Sequence, residues 1–401
     1  MNGLYDGAVP KSDEAKGWTE SEYAYENRSA RADMETIRRT IEKWYEHYPD
    51  NDKDLRARFR SKDDQAHRGA LFELYCHEVL LTCGYSVDLH PDLPRIRTHT
   101  DFLISAEREQ QNKLAYFECR MVLEPYYMTK ADNMRRALFQ HLDDRFAGTG
   151  VKFFIDVTTP KERETIIIGP DGIKRFMIQN LDGSVEERSE SAITAPLKTP
   201  SLNEIRQYFE KELAGITADI ARKRLEGGFE SEGIRQAFGD LHVTVVPLPI
   251  EAESGLIAMR PMPLVQQPEE LIRNALEEKA GKYGDLPMPF VIALNTSDPV
   301  WVTPDIVERA LYVGSGEAGW FNSSKRSHRV SAVAMASGLY SWNITTHEFE
   351  LWHNPFANHP LGNDFWPAKQ HFLDPSSNER RILQGKYTPD LLRLPPNSGL
   401  S

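Results

Sequence analysis

The stretch "HTDFLISAEREQQNKLAYFECRMV" (residues 99–122) determines both the fold and the candidate chemistry of this chain. Two apolar runs, "DFLISA" and "LAYFECRMV", flank the polar "EREQQNK", a pattern that predicts a β-hairpin with a loose tip. Asp101 begins the first strand and Glu118 lies within the second. Antiparallel pairing of these strands can therefore bring the two carboxylates together at one end of the hairpin.

Alternation along the second strand separates an apolar face from a polar one. Side chains two residues apart point the same way, which places Tyr116, Glu118 and Arg120 on one face and Phe117, Cys119 and Met121 on the other. The second set predicts a core. A half-exposed strand with its polar side chains in solvent would show the same alternation, so this pattern alone does not define a site.

The pairing of Asp101 with Glu118 is more informative than either acid alone. Two adjacent carboxylates destabilise each other unless a cation or a raised pKa neutralises one of them. Mg²⁺ prefers oxygen ligands and commonly uses one or two carboxylates, completed by waters and phosphate oxygens. The sequence therefore predicts a Mg²⁺ (or Mn²⁺) site with Asp101 and Glu118 as ligands.

Composition limits the class of protein. The chain has 401 residues, a formal net charge of -12 and three cysteines without a CxxC pair. No apolar segment is long enough to cross a bilayer and the first residues do not resemble a leader, so we expect a cytoplasmic protein without membrane association. The net negative charge argues against a non-specific nucleic-acid coat protein. A local basic groove is compatible with this net charge.

The order of elements predicts an α/β fold with a mixed central sheet flanked by helices. Helices are expected over about 29–47, 62–83 and 130–146, followed by the strand "VKFFIDV", a hairpin over "ETIIIG" and "IKRFMIQ", and a long helix over 201–224. The expected divisions are an N-terminal helical segment (1–62), a core (63–160), a β-hairpin and long-helix extension (161–265) and a C-terminal α/β region (266–401).

These residues resemble the PD-(D/E)XK nuclease-like superfamily, which includes restriction endonucleases. The resemblance covers about residues 63–160: Asp101 in "HTDFLI", Glu118 in "FECR", Arg120 where the family has Lys, and Glu73 in "LFELYCHE" on the preceding helix. The chain is also similar to a bacterial protein group that shares "RFRSKDDQAHRGALFELYCHEVL" and "LWHNPFANHPL". A restriction endonuclease-like core is the fold that this resemblance implies.

The resemblance also implies a function. The two acids would hold Mg²⁺ and the family's Lys would help to position or activate water, with Glu73 as an auxiliary acid. Arg120 can stabilise a phosphate electrostatically, but its high pKa makes it a poor proton acceptor. Either another group or the metal alone generates hydroxide, or the site binds without cutting. The implied partner is nucleic acid, with DNA expected, in bacterial restriction or defence; a homodimer or a partner protein is compatible with this class. The alternative is a catalytically inactive nuclease-fold binding or scaffold protein.

Several neighbouring residues are candidates for supporting roles. Glu78 shares the helix with Glu73 and competes with it as the inward-facing acid, and His77 lies one turn beyond Glu73. Five residues are candidates for substrate contacts: Tyr116, Lys130, Arg135, Arg136 and Gln140.

Other motifs favour structural interpretations. The histidines near the C-terminus (His347, His353, His359 and His371) lack the spacing of a zinc site. The glycines of "LYVGSGEAGW" follow an apparent helix rather than a strand, which favours a loop over a nucleotide-binding turn. The dense C-terminal aromatics suit a packed core at least as well as base stacking.

Overall fold

The computed structural model describes residues 3–9, 11–93, 98–106, 109–122, 126–169, 173–225, 233–249, 268–296, 302–312 and 319–394. The chain divides into two compact units: the first comprises Met1–Ala15, Ser21–Leu123 and Gln267–Ser401, and the second comprises Lys16–Glu20 and Glu124–Gln266. Most of the second unit is thus inserted between the hairpin and the C-terminal region. The glycine-rich stretch 313–318 lies outside the described residues.

The helices and strands are numbered in chain order. The α-helices are α1 (Glu22–Arg28), α2 (Ala32–His47), α3 (Asp54–Phe59), α4 (Asp64–Thr82), α5 (Tyr126–Arg145), α6 (Glu190–Thr194), α7 (Leu202–Glu212), α8 (Ala218–Leu225), α9 (Pro268–Lys282), α10 (Pro304–Leu311) and α11 (Thr388–Leu391). The strands are β1 (Tyr85–Leu89), β2 (Phe102–Ala106), β3 (Glu109–Val122), β4 (Val151–Thr158), β5 (Glu164–Ile168), β6 (Lys174–Gln179), β7 (Val185–Arg188), β8 (Ile234–Phe238), β9 (Leu241–Pro249), β10 (Phe290–Thr296), β11 (Ala332–Ser337), β12 (Glu350–His353), β13 (Gln370–Leu373) and β14 (Arg380–Leu383).

The first unit is built on an 8-stranded mixed sheet in the order β1-β2-β3-β10-β11-β12-β13-β14. Strands β1, β2 and β3 form an antiparallel meander, and β10 lies parallel to both β3 and β11. Helices pack on this sheet, so the expected α/β class with a mixed, helix-flanked sheet is confirmed.

The strand that pairs with the outer side of β3 differs from the expectation. We expected "VKFFIDV" to follow the hairpin in one sheet, but that strand is β4 and pairs antiparallel with β9 in a separate 3-stranded sheet. The neighbour of β3 is β10, in which every residue is buried. A continuously buried run suits a central parallel strand, which is covered on both faces.

The sheet of the first unit buries apolar side chains on both faces. One face carries Phe102 and Phe117 and packs with buried residues of α2 and α4, such as Trp44 and Tyr75. The other face carries Tyr116 and packs with residues of α9 and α10. We call these the α4 face and the α9 face. Alternation along β3 therefore places Glu118 and Arg120 on the α9 face, with Tyr116.

Helix α4 follows the sequence signals closely. The Asp63 side chain accepts a hydrogen bond from the backbone N of Gln65 at 3.0 Å, which caps the first turn. At the other end, Gly84 has a φ of 84°, as expected for a left-handed residue after a helix. Ten consecutive and mostly apolar positions from 71 to 80 are buried. The helix is therefore a core element rather than a surface one.

The second unit contains two 3-stranded sheets, β4-β9-β8 and β5-β6-β7. The predicted hairpin at "ETIIIG" and "IKRFMIQ" is β5 with β6. The single helix expected over 201–224 is instead two helices, α7 and α8, with Gly215 between them at a φ of 79°. A left-handed glycine cannot continue an α-helix, which explains the break.

A buried polar cluster joins distant parts of the first unit. Glu26 accepts hydrogen bonds from Tyr5 (2.9 Å) and from the Ser341 hydroxyl, and contacts His67 Nε2 at 3.3 Å. The His67 side chain is 1% exposed and its Nδ1 lies 2.6 Å from the Phe59 carbonyl oxygen. Burial lowers the pKa of His67, but the charge and hydrogen bond of Glu26 outweigh it and raise that pKa to about 9.

The raised pKa of His67 predicts a pH-dependent stability. The cation is favoured by the fold, so its contribution is complete below the ordinary value of 6.5 and is lost as pH rises through about 9. We expect the free energy of unfolding, measured by urea denaturation, to fall between pH 6.5 and 9, and His67→Gln to flatten this profile. A His99→Gln control, which changes an exposed histidine, should retain the wild-type slope. An unchanged profile in His67→Gln would contradict this assignment.

Candidate active site

The hairpin register brings Asp101 and Glu118 to the same end of the two strands. Phe102 pairs with Phe117, Asp101 directly precedes this pair and Glu118 directly follows it, and the charge of Glu118 acts on Asp101 and raises its pKa. Asp101 Oδ2 accepts a hydrogen bond from the backbone N of Cys119 at 2.6 Å, which fixes its carboxylate against β3. The two acids identified in the sequence are thus adjacent.

Glu118 is a buried carboxylate with several donors. It is 1% exposed. Its Oε1 lies 2.5 Å from Lys279 Nζ and 3.5 Å from Lys282 Nζ, and its Oε2 accepts a hydrogen bond from the Tyr283 hydroxyl at 2.7 Å. Buried charges are tolerated when they are paired and hydrogen-bonded, and this environment satisfies both conditions.

The Asp101 carboxyl group has fewer donors and cations around it than the Glu118 carboxylate has. Burial raises the pKa of Asp101, and the negative charges of Glu118 and Glu73 raise it further, to about 8. The Cys119 N–H and the Lys279 cation oppose this shift but do not cancel it. At pH 7 Asp101 therefore favours its protonated form, as expected for a carboxyl group crowded by other acids.

Helix α9 supplies three groups that sequence reasoning missed: Lys279, Lys282 and Tyr283, the last just beyond the helix end. They lie at positions i, i+3 and i+4 and therefore share one helix face. The Tyr283 hydroxyl also donates to the His99 carbonyl oxygen at 2.9 Å. Burial and the charge of Glu118 raise the pKa of the Tyr283 phenol, so it stays a donor. The Lys-x-x-Lys-Tyr spacing was the available signal, but nothing in the sequence tied it to the hairpin.

Arg120, at the family's Lys position, does not contact either acid in the structure. Its Nη2 donates to Glu278 Oε2 at 2.6 Å, on the exposed side of α9. Its Nε is buried without a hydrogen-bond partner among the described residues. The cation closest to Glu118 is therefore supplied by Lys279 rather than by β3.

Glu73 lies on α4 and has its own partners. It is 5% exposed, and it accepts hydrogen bonds from the Tyr48 hydroxyl at 2.5 Å and from Arg58 Nη2 at 2.8 Å. Its charge nevertheless reaches Asp101, whose pKa it helps to raise. Glu73 is therefore an electrostatic neighbour of the pair, held by donors from α2 and α3.

The two other candidates on α4 are Glu78 and His77, and each contacts a residue at the end of α2. Glu78 Oε2 contacts His47 Nδ1 at 2.9 Å. His77 is 2% exposed and its ring lies 4.8 Å from that of Tyr48, centre to centre. Burial, and then the charge of His47, lower the pKa of His77 to about 4. The imidazole is therefore neutral at pH 7.

The five predicted substrate contacts divide between the two units. Tyr116 is 4% exposed and packs in the core of the α9 face. The other four lie on α5, in the second unit, whereas both acids belong to the first. Gln140 donates to Asp144 Oδ1 at 3.0 Å and accepts from the backbone N of Trp18 at 3.1 Å. The Lys130 side chain lies outside the described residues. The four residues on α5 are Lys130, Arg135, Arg136 and Gln140.

The donor set suits a hard divalent cation. Asp101 and Glu118 offer two carboxylates, and Mg²⁺ binds through one or two such groups with waters and substrate phosphates. Within the part of the chain that the structure describes, no three His, Cys, Asp or Glu side chains form a ready cluster.

Comparison of the chain with protein-family models, with curated proteins and with solved structures finds no match. Among the described helices, none is both long and apolar enough to cross a bilayer.

Removal of the Lys279 charge tests the ion pair directly. Lys279→Met leaves a buried carboxylate without its closest cation, so we expect a loss of about 3 kcal/mol in unfolding free energy. Lys282→Met is the matched control, because the Lys282 side chain is 39% exposed and its amine lies 3.5 Å from Glu118; we expect a loss below about 1 kcal/mol. Urea denaturation at pH 7 measures both changes, and equal losses would contradict the assigned geometry.

Proposed function

We propose that this protein is a Mg²⁺-dependent nuclease that hydrolyses phosphodiester bonds of nucleic acid, with DNA as the expected substrate. The observation that carries the proposal is the half-buried Asp101 beside the buried Glu118, with the Lys279 amine 2.5 Å from Glu118. Two acids and a lysine are the residue types of the PD-(D/E)XK motif. A restriction endonuclease-like core, a cytoplasmic setting and a role in bacterial restriction or defence complete the proposal.

The arrangement of elements supports this assignment. A helix that carries Glu73 precedes a hairpin that carries both acids, in the order that the resemblance implies. The next strand of the same sheet, β10, is parallel to β3 and is preceded by α9. Helix α9 thereby provides the lysine that the strand motif lacks at position 120.

The two acids would hold Mg²⁺, which would polarise the phosphate and lower the pKa of a bound water. Asp101 Oδ2 accepts a hydrogen bond from the Cys119 N–H, so the orientation of the carboxylate is fixed before any ligand binds. Tyr283 holds Glu118 Oε2 in the same way. These two contacts orient the ligands from β2 and β3.

Lys279 takes the role that the motif gives to its lysine. Its amine is close enough to Glu118 to reach a water or a phosphate oxygen at the same carboxylate. An amine can exchange a proton or balance the charge of the phosphate, whereas the guanidinium of Arg120 remains charged. Arg120, paired with Glu278, contributes positive potential at the edge of the site.

The alternative is a catalytically inactive nuclease-fold protein that binds nucleic acid or acts as a scaffold. One observation favours it: both oxygens of Glu118 already have donors from the protein. In this case the lysine would replace the metal rather than assist it. Mobility-shift binding of DNA or RNA without cleavage by the wild type would support the alternative.

Asp101→Asn and Glu118→Gln test the proposed ligands. We expect each change to reduce Mg²⁺-dependent nicking of supercoiled DNA at least about hundredfold, because each removes a charge that holds the metal. Asp285→Asn is the control, since it changes an acid that is 74% exposed and pairs with Arg329; it should cut at the wild-type rate. RNA and single-stranded DNA are tested in parallel. Cleavage that persists in both variants would exclude the proposed site.

A comparison of Lys279→Met with Arg120→Met tests which cation acts. We expect Lys279→Met to lose about a hundredfold or more in single-turnover rate, the usual contribution of a proton-transfer group, and Arg120→Met to lose less. Thermal unfolding of each variant shows whether the protein is folded at the assay temperature. A larger loss in Arg120→Met would assign the role to β3 instead.

A further inference from the structure

A cavity of about 160 Å³ lies on the α9 face, beside α10 and the carboxyl ends of β10 and β11. Apolar residues such as Val302, Val307, Met335 and Trp352 form much of its wall. The polar residues of the wall are Ser337, His347, Glu348 and Glu350. Ligands of α/β proteins commonly bind beyond the carboxyl ends of the strands, which is where this cavity lies.

The cavity wall has unused hydrogen-bonding capacity. Trp352 is 2% exposed, and no described residue accepts a hydrogen bond from its Nε1. Nε2 of His347 is likewise buried without a partner in the described chain, as is Oγ1 of Thr296, which pairs in register with Ser337 of the wall. Buried polar atoms normally have partners, so two unsatisfied ones on residues that line the same cavity indicate a ligand that supplies those partners.

The chemistry of these atoms defines the ligand. The indole N–H of Trp352 is a donor only, whereas a neutral imidazole offers one donor and one acceptor. Burial lowers the pKa of His347 to about 4, so its ring is neutral at pH 7. A donor and a neutral imidazole in one cavity wall are the complements of the carbonyl and N–H groups on the edge of a heterocyclic base. A cavity of about 150 Å³ accommodates one aromatic ring.

The Trp352 donor is held rigidly. Its ring stacks on His371 with centroids 3.7 Å apart and planes 1° from parallel. His371 Nε2 in turn contacts Glu350 Oε2 at 2.8 Å. A donor fixed in this way loses little conformational entropy when it binds, which favours selective recognition.

The cavity also has a defined relation to the candidate active site. Glu118 pairs with Ile292, Ile292 with Val333, and Val333 with Trp352. Glu118 and Trp352 therefore lie in one row of the α9 face, three strand spacings or about 14 Å apart.

We propose that this cavity is a base-binding subsite that takes one nucleobase of the substrate strand, with Trp352 and His347 reading its polar edge. The inference rests on the proposed function, because it names the substrate feature that the same face recognises. A nucleobase outside a duplex presents its pairing edge for such readout.

Nucleoside binding without any divalent ion tests the subsite. Saturation-transfer NMR with adenosine, guanosine, cytidine and thymidine should show saturable binding of at least one of them to the wild-type chain, and none of ribose 5-phosphate. Trp352→Phe, which keeps a ring but removes the N–H, should weaken that binding at least about fivefold, as expected for one lost hydrogen bond. Trp342→Phe is the matched control, because Trp342 is 46% exposed and lies outside the cavity wall.

A second variant protects the test against misfolding of Trp352→Phe. Val302→Phe adds a ring to the cavity wall and should abolish nucleoside binding. The inference is overturned if no nucleoside saturates, if ribose 5-phosphate competes equally, if Trp342→Phe weakens binding as much as Trp352→Phe, or if Val302→Phe has no effect. Nucleoside binding without Mg²⁺-dependent cleavage would contradict only the hydrolysis, and cleavage without nucleoside binding would contradict only the subsite.

Discussion

The parallel pairing of β3 with β10 is the constraint on which the first unit depends. It aligns Phe290 with Tyr116 and continues to the pair Thr296 and Val122. Parallel neighbours require a crossover, and α9 provides its final part on one face of the sheet. The resulting contact between Lys279 and Glu118 joins residues 161 apart in sequence. A pairing of such range has a large loop-closure cost, which the fully buried β10 offsets by burying apolar surface.

This geometry forms two ion pairs between β3 and α9, with the acid on the strand in one pair and on the helix in the other. The strand acid Glu118 meets the helix cation Lys279, and the strand cation Arg120 meets the helix acid Glu278. The two contacts differ in energy, because Glu118 is 1% exposed on its side chain whereas Glu278 is 58% exposed. The buried pair fixes the helix against the strand, and the exposed pair is screened by solvent. Asp101 has no part in these two ion pairs, and burial, followed by the charges of Glu118 and Glu73, raises its pKa.

Local signals in the sequence were sufficient for the hairpin, for α4 and for the adjacency of Asp101 and Glu118. Each depends on a period of two or 3.6 residues, on an N-cap such as Asp63, or on a glycine such as Gly84. The partner of β3 could not be read in this way, because "VKFFIDV" and "PFVIALN" are both short apolar runs. Sequence patterns do not show which two strands pair when a whole unit is inserted between them in the chain. Lys279 was missed for the same reason, since its role depends on that long-range pairing.

The position of Lys279 has consequences for any cation that enters the site. A divalent ion at Glu118 would meet an ammonium group 2.5 Å from the same carboxylate, and like charges at such a distance repel strongly in a buried site. The Tyr283 hydroxyl still holds Glu118 Oε2, so the carboxylate keeps its orientation if the lysine turns away. The flexible lysine chain can then direct its amine toward a phosphate, whose negative charge compensates the loss of Glu118. Arg120 points to Glu278 on the exposed side of α9, so Lys279 is the cation nearest to Glu118 for the proposed reaction.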